Sequence, residues 1–369
     1  LGGTYYRFHN RVAFKSVEYL WSLLLIKKGL PEVSPEMVEA AEIESRETMT
    51  TTKDQVDYCP CTYMAEPTDD LYEINIQQSP IPLSFIKQQV SETSYELFRN
   101  CKVDLQKILE SPYLPSSSSN YNKTRREHGT YGELEDLGLL DGIIEGYSKI
   151  QMKKGLVSLR TRVSDLYGLG GAFEQFIHDL DEEISIQEGI LIDVSEARVS
   201  WKAFYIKCIL FAEQEEPIVS TVGLPEALKV RVITKGPPVL YFVLKPFQRL
   251  LHRHLATYYQ FELTKGPVTE EIVNQRWKKF INYKFLSGDY KSATDELHSW
   301  CSEYALEGVM RALQENSGQD LSLIKRLIKK SLTGHLYQDK KTKSLSPQKR
   351  GQLMGSIMSF PFLCIANFA

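Results

Sequence analysis

SGDYKSATDEL, Ser287 to Leu297, is the stretch that decides how this chain folds and works. Apolar Phe285 and Leu286 lead into it like the end of a strand, while Leu297, Trp300, Cys301, Tyr304 and Ala305 follow at helical spacing. That places Asp289 at a strand end and Asp295 near a helix start. A carboxylate at a strand end can hold Mg²⁺ in a shallow site, because this ion prefers oxygen ligands and keeps several waters. Two such ions stabilise the attacking and leaving oxygens of a phosphoryl transfer. The bland alternative is a strand-ending Asp289 and an Asp295 that completes a capping box with Ser292. Taken alone, the D-x5-D pair favours that alternative, since paired acids are common.

Working outward, the downstream stretch GQLMGSIMSFPFLCIANFA, Gly351 to Ala369, is a Gly/Ser loop feeding an apolar segment, with Ser359 as its N-cap and Pro361 in the first turn. Small residues let backbone approach a nucleotide closely. Upstream, no Asp or Glu occurs between Ala227 and Phe261, while Lys229, Arg231, Lys235, Lys245, Arg249 and Arg253 do. Lys229 to Thr234 alternates polar and apolar in a β-like way, Gly236, Pro237 and Pro238 break it, and a helix is expected from about Leu240. On that alternation Lys229, Arg231 and Lys235 share one side and Val230 and Val232 the other. A solvated edge strand blunted by lysines is the competing reading. Farther upstream, Pro112 to Gly132 reads as a long polar loop.

In order along the chain, KVRVITKGPP (Lys229 to Pro238), SGDYKSATDEL and GQLMGSIMSFP (Gly351 to Pro361) resemble motifs F, A and B of viral RNA-dependent RNA polymerases. The ourmiavirus and narnavirus-like group, related to bacteriophage leviviruses, is the nearest match. LPSSSSNYNKTRREHGTYGEL, Leu114 to Leu134, looks like that group's Ser-rich motif G, with Thr130 after Gly129 where the family pairs two glycines. The resemblance covers about Leu114 to Ala369. It implies an α/β (α+β) right-hand polymerase with helix-rich fingers and an incomplete palm, the thumb being absent.

Carried over residue by residue, the resemblance makes Asp289 the ligand of catalytic Mg²⁺, or Mn²⁺ in its place, with Tyr290 contributing its carbonyl. Asp295 would sense the ribose hydroxyls, which separate RNA from DNA chemistry. Gly355 and Ser356 would form the flexible loop beside the nascent base pair, with Asn367 assisting ribose selection from farther along. Arg231 is the expected triphosphate contact, since guanidinium binds phosphate oxygens bidentately, and Lys229 and Lys235 would support it. Ser118, Asn120 and Arg126 would touch the RNA template backbone. Lys340, Lys341 and Lys343 read as a solvated loop.

The expected partners are an RNA template, a primer or nascent strand, and nucleoside triphosphates. The Gly-Asp-Asp turn of motif C is absent from the sequence, and Thr68-Asp69-Asp70 lies upstream of motif A, out of order for it. The chain also opens at Leu1 without Met. It therefore reads either as truncated or as the first half of a divided polymerase, with a second chain carrying motif C. On that basis the expected segments are 1–105, a helical region of unknown role; 106–279, fingers with motifs G and F; 280–301, palm motif A; 302–347, a helical fingers insertion; and 348–369, palm motif B. The expected activity is RNA-templated RNA synthesis for viral genome replication in the host cell cytoplasm, with the chain alone inactive. A noncatalytic RNA-binding subunit of a divided polymerase is the alternative, and a reverse transcriptase a third reading.

The totals limit these readings without choosing among them. With 369 residues, 42% of them apolar, the chain can build a sizeable core, and its net charge of −3 gives no global sign of nucleic-acid binding. Six scattered cysteines, including the Cys59/Cys61 pair without further ligands, read as ordinary thiols in a reducing compartment. Leu1 to Asn10 lacks the pattern of a signal peptide. The uncharged run Gly351 to Ala369 is interrupted by Gln352, Ser359, Pro361 and Asn367, so no membrane span is expected.

Overall fold

Periodicity sorts the chain into helices and short strands. In a computed structural model the described residues are 33–52, 58–59, 62–64, 76–78, 81–111, 113–140, 194–226, 229–264, 266, 269, 271–272, 275 and 293–369. The elements run α1 (Pro35–Thr50), β1 (Tyr58–Cys59), β2 (Thr62–Met64), β3 (Ile76–Gln78), β4 (Ile81–Pro82), α2 (Leu83–Phe98), α3 (Leu105–Glu110) and α4 (Gly129–Asp136). They continue with α5 (Val194–Gln214), β5 (Ile218–Glu226), β6 (Lys229–Lys235), α6 (Pro238–Leu255), α7 (Ser299–Ser317), α8 (Ser322–Thr333), β7 (Leu336–Gln338), β8 (Leu345–Pro347) and α9 (Ser359–Phe368). This is a mixed helix and sheet fold. Asp289, Tyr290 and the apolar run Val17 to Ile26 lie outside the described residues. Among the described residues no helix is long and apolar enough to cross a membrane.

Several local expectations need correction. The first hundred residues, read as helical, include β1 to β4, whose two or three residues each are too few to show a period. The polar loop tightens into a 3₁₀ turn at Arg125–Glu127, closed by a capping box between Thr124 and Glu127, and then opens α4. Helix α7 starts at Ser299 behind His298, so Asp295 lies in the turn before it. Met358, not Ser359, occupies the N-cap of α9.

A four-stranded sheet of order β6-β5-β7-β8 positions the site. β5 and β6 form an antiparallel hairpin, with Ser220 opposite Lys235 and Gly223 opposite Val232, while β7 joins β5 in parallel. Among the described residues the basic strand β6 is therefore an edge. Helix α1 lies against the hairpin, and Glu42 Oε1 accepts the Gly223 N–H at 2.6 Å.

Helix α6 carries the largest buried apolar face near the site, including Leu240, Val243, Leu244, Phe247 and Leu251. Its N-cap, Pro237, has no side chain to cap the first free N–H groups. Glu215 caps it from the end of α5, accepting from Val239 N at 3.2 Å and Leu240 N at 2.7 Å. Inside the helix Pro246 has no N–H for the Phe242 carbonyl, and the buried Tyr113 hydroxyl donates to that oxygen instead at 2.7 Å. Tyr205 of α5 donates similarly to the Val243 carbonyl at 2.5 Å. The proline is tolerated because these hydroxyls satisfy the displaced backbone.

One apolar core joins residues from all five expected segments: Phe98 of α2, Phe204 and Phe247 of α5 and α6, Val309 and Leu327 of α7 and α8, and Phe362 of α9, with Trp300 packed against it. Each fully buried side chain of this kind contributes about 1.5–3 kcal/mol from apolar burial. The described residues of these segments thus share one core.

A buried polar chain ties α6 to the Gly351 turn. Tyr241 Oη and Gln348 Oε1 meet the two ring nitrogens of His335, each at 3.0 Å, and Gln348 Nε2 donates to the Leu332 and Gly351 carbonyls at 3.0 and 2.8 Å. Burial pushes His335 from 6.5 down to about 4, with the Gln348 hydrogen bond opposing it. A depressed folded value means that its stability is complete above pH 6.5 and is lost as the pH falls through about 4. The shift corresponds to about 3 kcal/mol. Urea midpoints measured from pH 7 to 4 should fall more steeply for the native chain than for His335→Gln; equal slopes would show that the loss at low pH arises elsewhere.

Candidate functional site

Three stretches remote in sequence converge on one cavity of about 360 Å³. The Ser-rich loop supplies Ser118 and Asn120, the end of β6 supplies Thr234 and Lys235, and the loop before α9 supplies Gly355. Helix α6 completes the wall with Lys245 and Arg249.

Backbone contacts hold these pieces together. Tyr121 N donates to the Gly236 carbonyl at 3.0 Å, joining the Ser-rich loop to the turn after β6. Gly355 N donates to Thr234 Oγ1 at 3.1 Å, and a Cβ at Gly355 would stand 1.8 Å from the Thr234 carbonyl oxygen. Gly129 is equally constrained, with φ +51° and space for a Cβ only 2.1 Å from the Ser118 carbonyl oxygen. At both positions only glycine fits without moving backbone.

The cavity is electropositive. Among the described residues no acidic side chain lines it, whereas Lys235, Lys245 and Arg249 do. Burial, then the neighbouring Arg249 charge, holds Lys245 below its ordinary range, a tension that a bound anion would relieve. The Arg249 guanidinium lies 5.8 Å from the centre of the Tyr113 ring. Asn120 is only 7% exposed, and its Oδ1 accepts from Asn122 N at 2.8 Å and Lys123 N at 2.7 Å. Those two bonds fix the amide orientation and leave Nδ2 buried without a partner among the described residues. A buried donor of this kind calls for an acceptor.

The remaining candidates lie elsewhere. Arg231 Nε and Lys229 Nζ both pair with Glu226, at 3.1 and 3.6 Å, on the exposed edge of the sheet. The Ser356 hydroxyl is buried and donates to the Ser331 carbonyl at 2.5 Å. Asn367 is exposed in the last turn of α9, and Arg126 is exposed in the 3₁₀ turn. Asp295 accepts from Ser45 Oγ of α1 at 3.4 Å and from Thr294 Oγ1 at 2.8 Å, and it does not line the cavity. Asp289 and Tyr290 fall outside the described residues. Among the described residues no three His, Cys, Asp or Glu side chains form a group that could hold a metal.

Lys245 and Arg249 were visible in the sequence as members of the acid-free stretch but carried no assigned role. Their i, i+4 spacing on an amphipathic helix was the sign that they share a face.

The structure makes Gly355 a sensitive position. Gly355→Val should break its contact with Thr234 and separate the loop from β6, at about 1–3 kcal/mol of stability. Thermal unfolding with RNA binding checks this; an unchanged melting temperature and unchanged affinity would show that the loop yields freely.

Comparison with known proteins gives one relationship. Over 157 residues the chain is 34% identical to the RNA-dependent RNA polymerase of Ourmia melon virus, a match covering 39% of this chain and 18% of that protein. The chain is thus related to a viral RNA-dependent RNA polymerase over part of its length, and the match spans under a fifth of that relative. No family model matches it, and neither does any solved structure.

Proposed function

We propose, from a chain related over part of its length to a viral RNA-dependent RNA polymerase, that these residues form the fingers and upper palm of an enzyme that copies RNA from RNA. The observation that carries this reading is the convergence of the Ser-rich loop, the end of β6 and the Gly355 loop on one cation-lined cavity. Lys235, Lys245 and Arg249 would hold phosphates there, and Asn120 Nδ2 would donate to a phosphate or ribose oxygen. Lys229 and Arg231 would act only after leaving Glu226, by exchanging one anion for another. Asp295 would meet the incoming ribose on release from Ser45.

Nucleotides would be joined to an RNA 3′ end with release of pyrophosphate, in replication of a viral genome in the host cell cytoplasm. Mg²⁺ or Mn²⁺, held in part by Asp289, would supply charge neutralisation at the reacting oxygens. Further carboxylates would come from a motif C outside these 369 residues, on the same polymerase or on a second chain.

Extension of an RNA primer on an RNA template by the complete polymerase, compared between ribonucleotides and deoxyribonucleotides, tests the reading. Ribonucleotide incorporation dictated by the template is expected. Preferential use of deoxyribonucleotides would identify a reverse transcriptase and overturn it.

A further inference from the structure

Among the described residues many positive charges are held in ion pairs, while others, Lys87, Lys207 and Lys349 among them, are not. Arg46, Lys123, Lys202, Arg311, Lys325, Arg326 and Lys340 are each paired with an acid. Lys102, Lys107, Lys245, Arg249 and Arg253 have no acidic partner among the described residues, and all line one of two neighbouring cavities. The first is the candidate site. The second, of about 420 Å³, lies between α3 and the far end of α6, and Tyr113 and Arg249 line both.

The second cavity has a floor suited to bases and a rim suited to phosphates. Ile108, Pro246, Leu250 and Tyr113 supply apolar surface, while Lys102, Lys107, Arg249 and Arg253 line it with positive charge. The one acid among the described residues that line it, Asp104, is occupied as the N-cap of α3, accepting from Lys107 N at 2.9 Å. Lys245, Arg249 and Arg253 recur every four residues along α6, a rise of about 6 Å per step, so cations repeat on one face as phosphates do along an extended strand. Positively charged grooves that track the backbone of a strand bind single-stranded nucleic acid without reading sequence, and Tyr113 adds an aromatic ring to this one.

We propose that this second cavity is a binding site for single-stranded RNA, continuing the strand held in the candidate site past Arg249 toward Lys102, Lys107 and Arg253. The identity of the ligand rests on the polymerase reading of the candidate site; what is added is the path of the strand and its length. An RNA long enough to cross both cavities binds more tightly than one that fills the first alone, and the excess comes from Lys102, Lys107 and Arg253.

The test measures binding of this chain to single-stranded RNAs of increasing length, for the native sequence and for the combined Lys102→Ala, Lys107→Ala and Arg253→Ala variant. All three side chains are exposed, so folding should be retained, and the melting temperature checks this. Longer RNA should bind the native chain more tightly, the variant should lose about tenfold or more of that gain, and its salt slope should fall by about 2. Affinity for the shortest RNA should not change. A length gain that survives in the variant, or no length gain in the native chain, would overturn the proposal and leave the candidate site intact. If the native chain binds no RNA of any length, the polymerase reading itself fails.

Discussion

Replacing Lys235, Lys245 and Arg249 together by Ala should lower the affinity of this chain for single-stranded RNA by about a hundredfold at 0.1 M salt relative to 1 M, and flatten its salt dependence. Each phosphate contact to a single strand contributes about 0.7 to the slope of log affinity against log salt, so three lost contacts remove about 2. The net charge of −3 gives the whole molecule no attraction for RNA, which leaves the local cluster to provide it. Arg231→Ala should have a smaller effect, because its guanidinium is already paired with Glu226 at the sheet edge. Binding isotherms at several salt concentrations distinguish these outcomes. A triple variant with an unaltered slope would show that phosphates do not occupy the cavity.

Asp289→Asn in the complete polymerase should abolish synthesis, by about a thousandfold or more, while leaving RNA affinity nearly unchanged. A metal site is worth several kcal/mol at the transition state, and each 1.36 kcal/mol is a factor of ten in rate. Asn keeps the size of the side chain and removes the charge that holds the ion. RNA binding, by contrast, draws on the cations around the cavity. Parallel loss of binding and synthesis would assign Asp289 to the fold, as a strand end.

The sequence was most legible where local chemistry decides structure. The alternation of Lys229 to Thr234 and the Pro237-Pro238 break anticipate β6 and α6, and residues of the Ser-rich loop, the end of β6 and the Gly355 loop meet at the cavity, whereas Asp295 does not line it. Pairings set by strand register or by packing were not legible. Nothing near Arg231 announces that Glu226, on the neighbouring strand, will pair with it, because that follows from the hairpin register. Nor does the sequence around Asp295 point to Ser45, which lies 250 residues away on a helix that had no assigned role. Ser356 reads as a loop hydroxyl free for a nucleotide, yet the end of α8 claims it through the Ser331 carbonyl. A buried hydroxyl takes the nearest acceptor, and that acceptor is set by packing.

Helix α1 shows what a motif-centred reading omits. Met49 O accepts from Lys349 N at 2.8 Å, and Arg350 Nε donates to Thr48 O at 2.6 Å, so α1 holds the chain just before the Gly351 turn. Asp339 at the tip of the β7–β8 hairpin is held well below the usual carboxylate range, first by the Thr342 backbone N–H and then by Arg46 of α1. The same helix thus contacts the Asp295 turn, the approach to the Gly355 loop and the hairpin. Residues near the start of the chain build the surroundings of the site without carrying a motif.

Template-directed extension tests the central claim most directly. Purified chain 1–369 would be given an RNA primer, an RNA template, ribonucleotides and Mg²⁺, with and without a chain that carries the Gly-Asp-Asp turn. The expected result is no product from the chain alone and template-complementary RNA when the second chain is added, lost again with Asp289→Asn. Robust extension by chain 1–369 alone, or the same yield with Asn at position 289, would show that the catalytic carboxylates lie elsewhere.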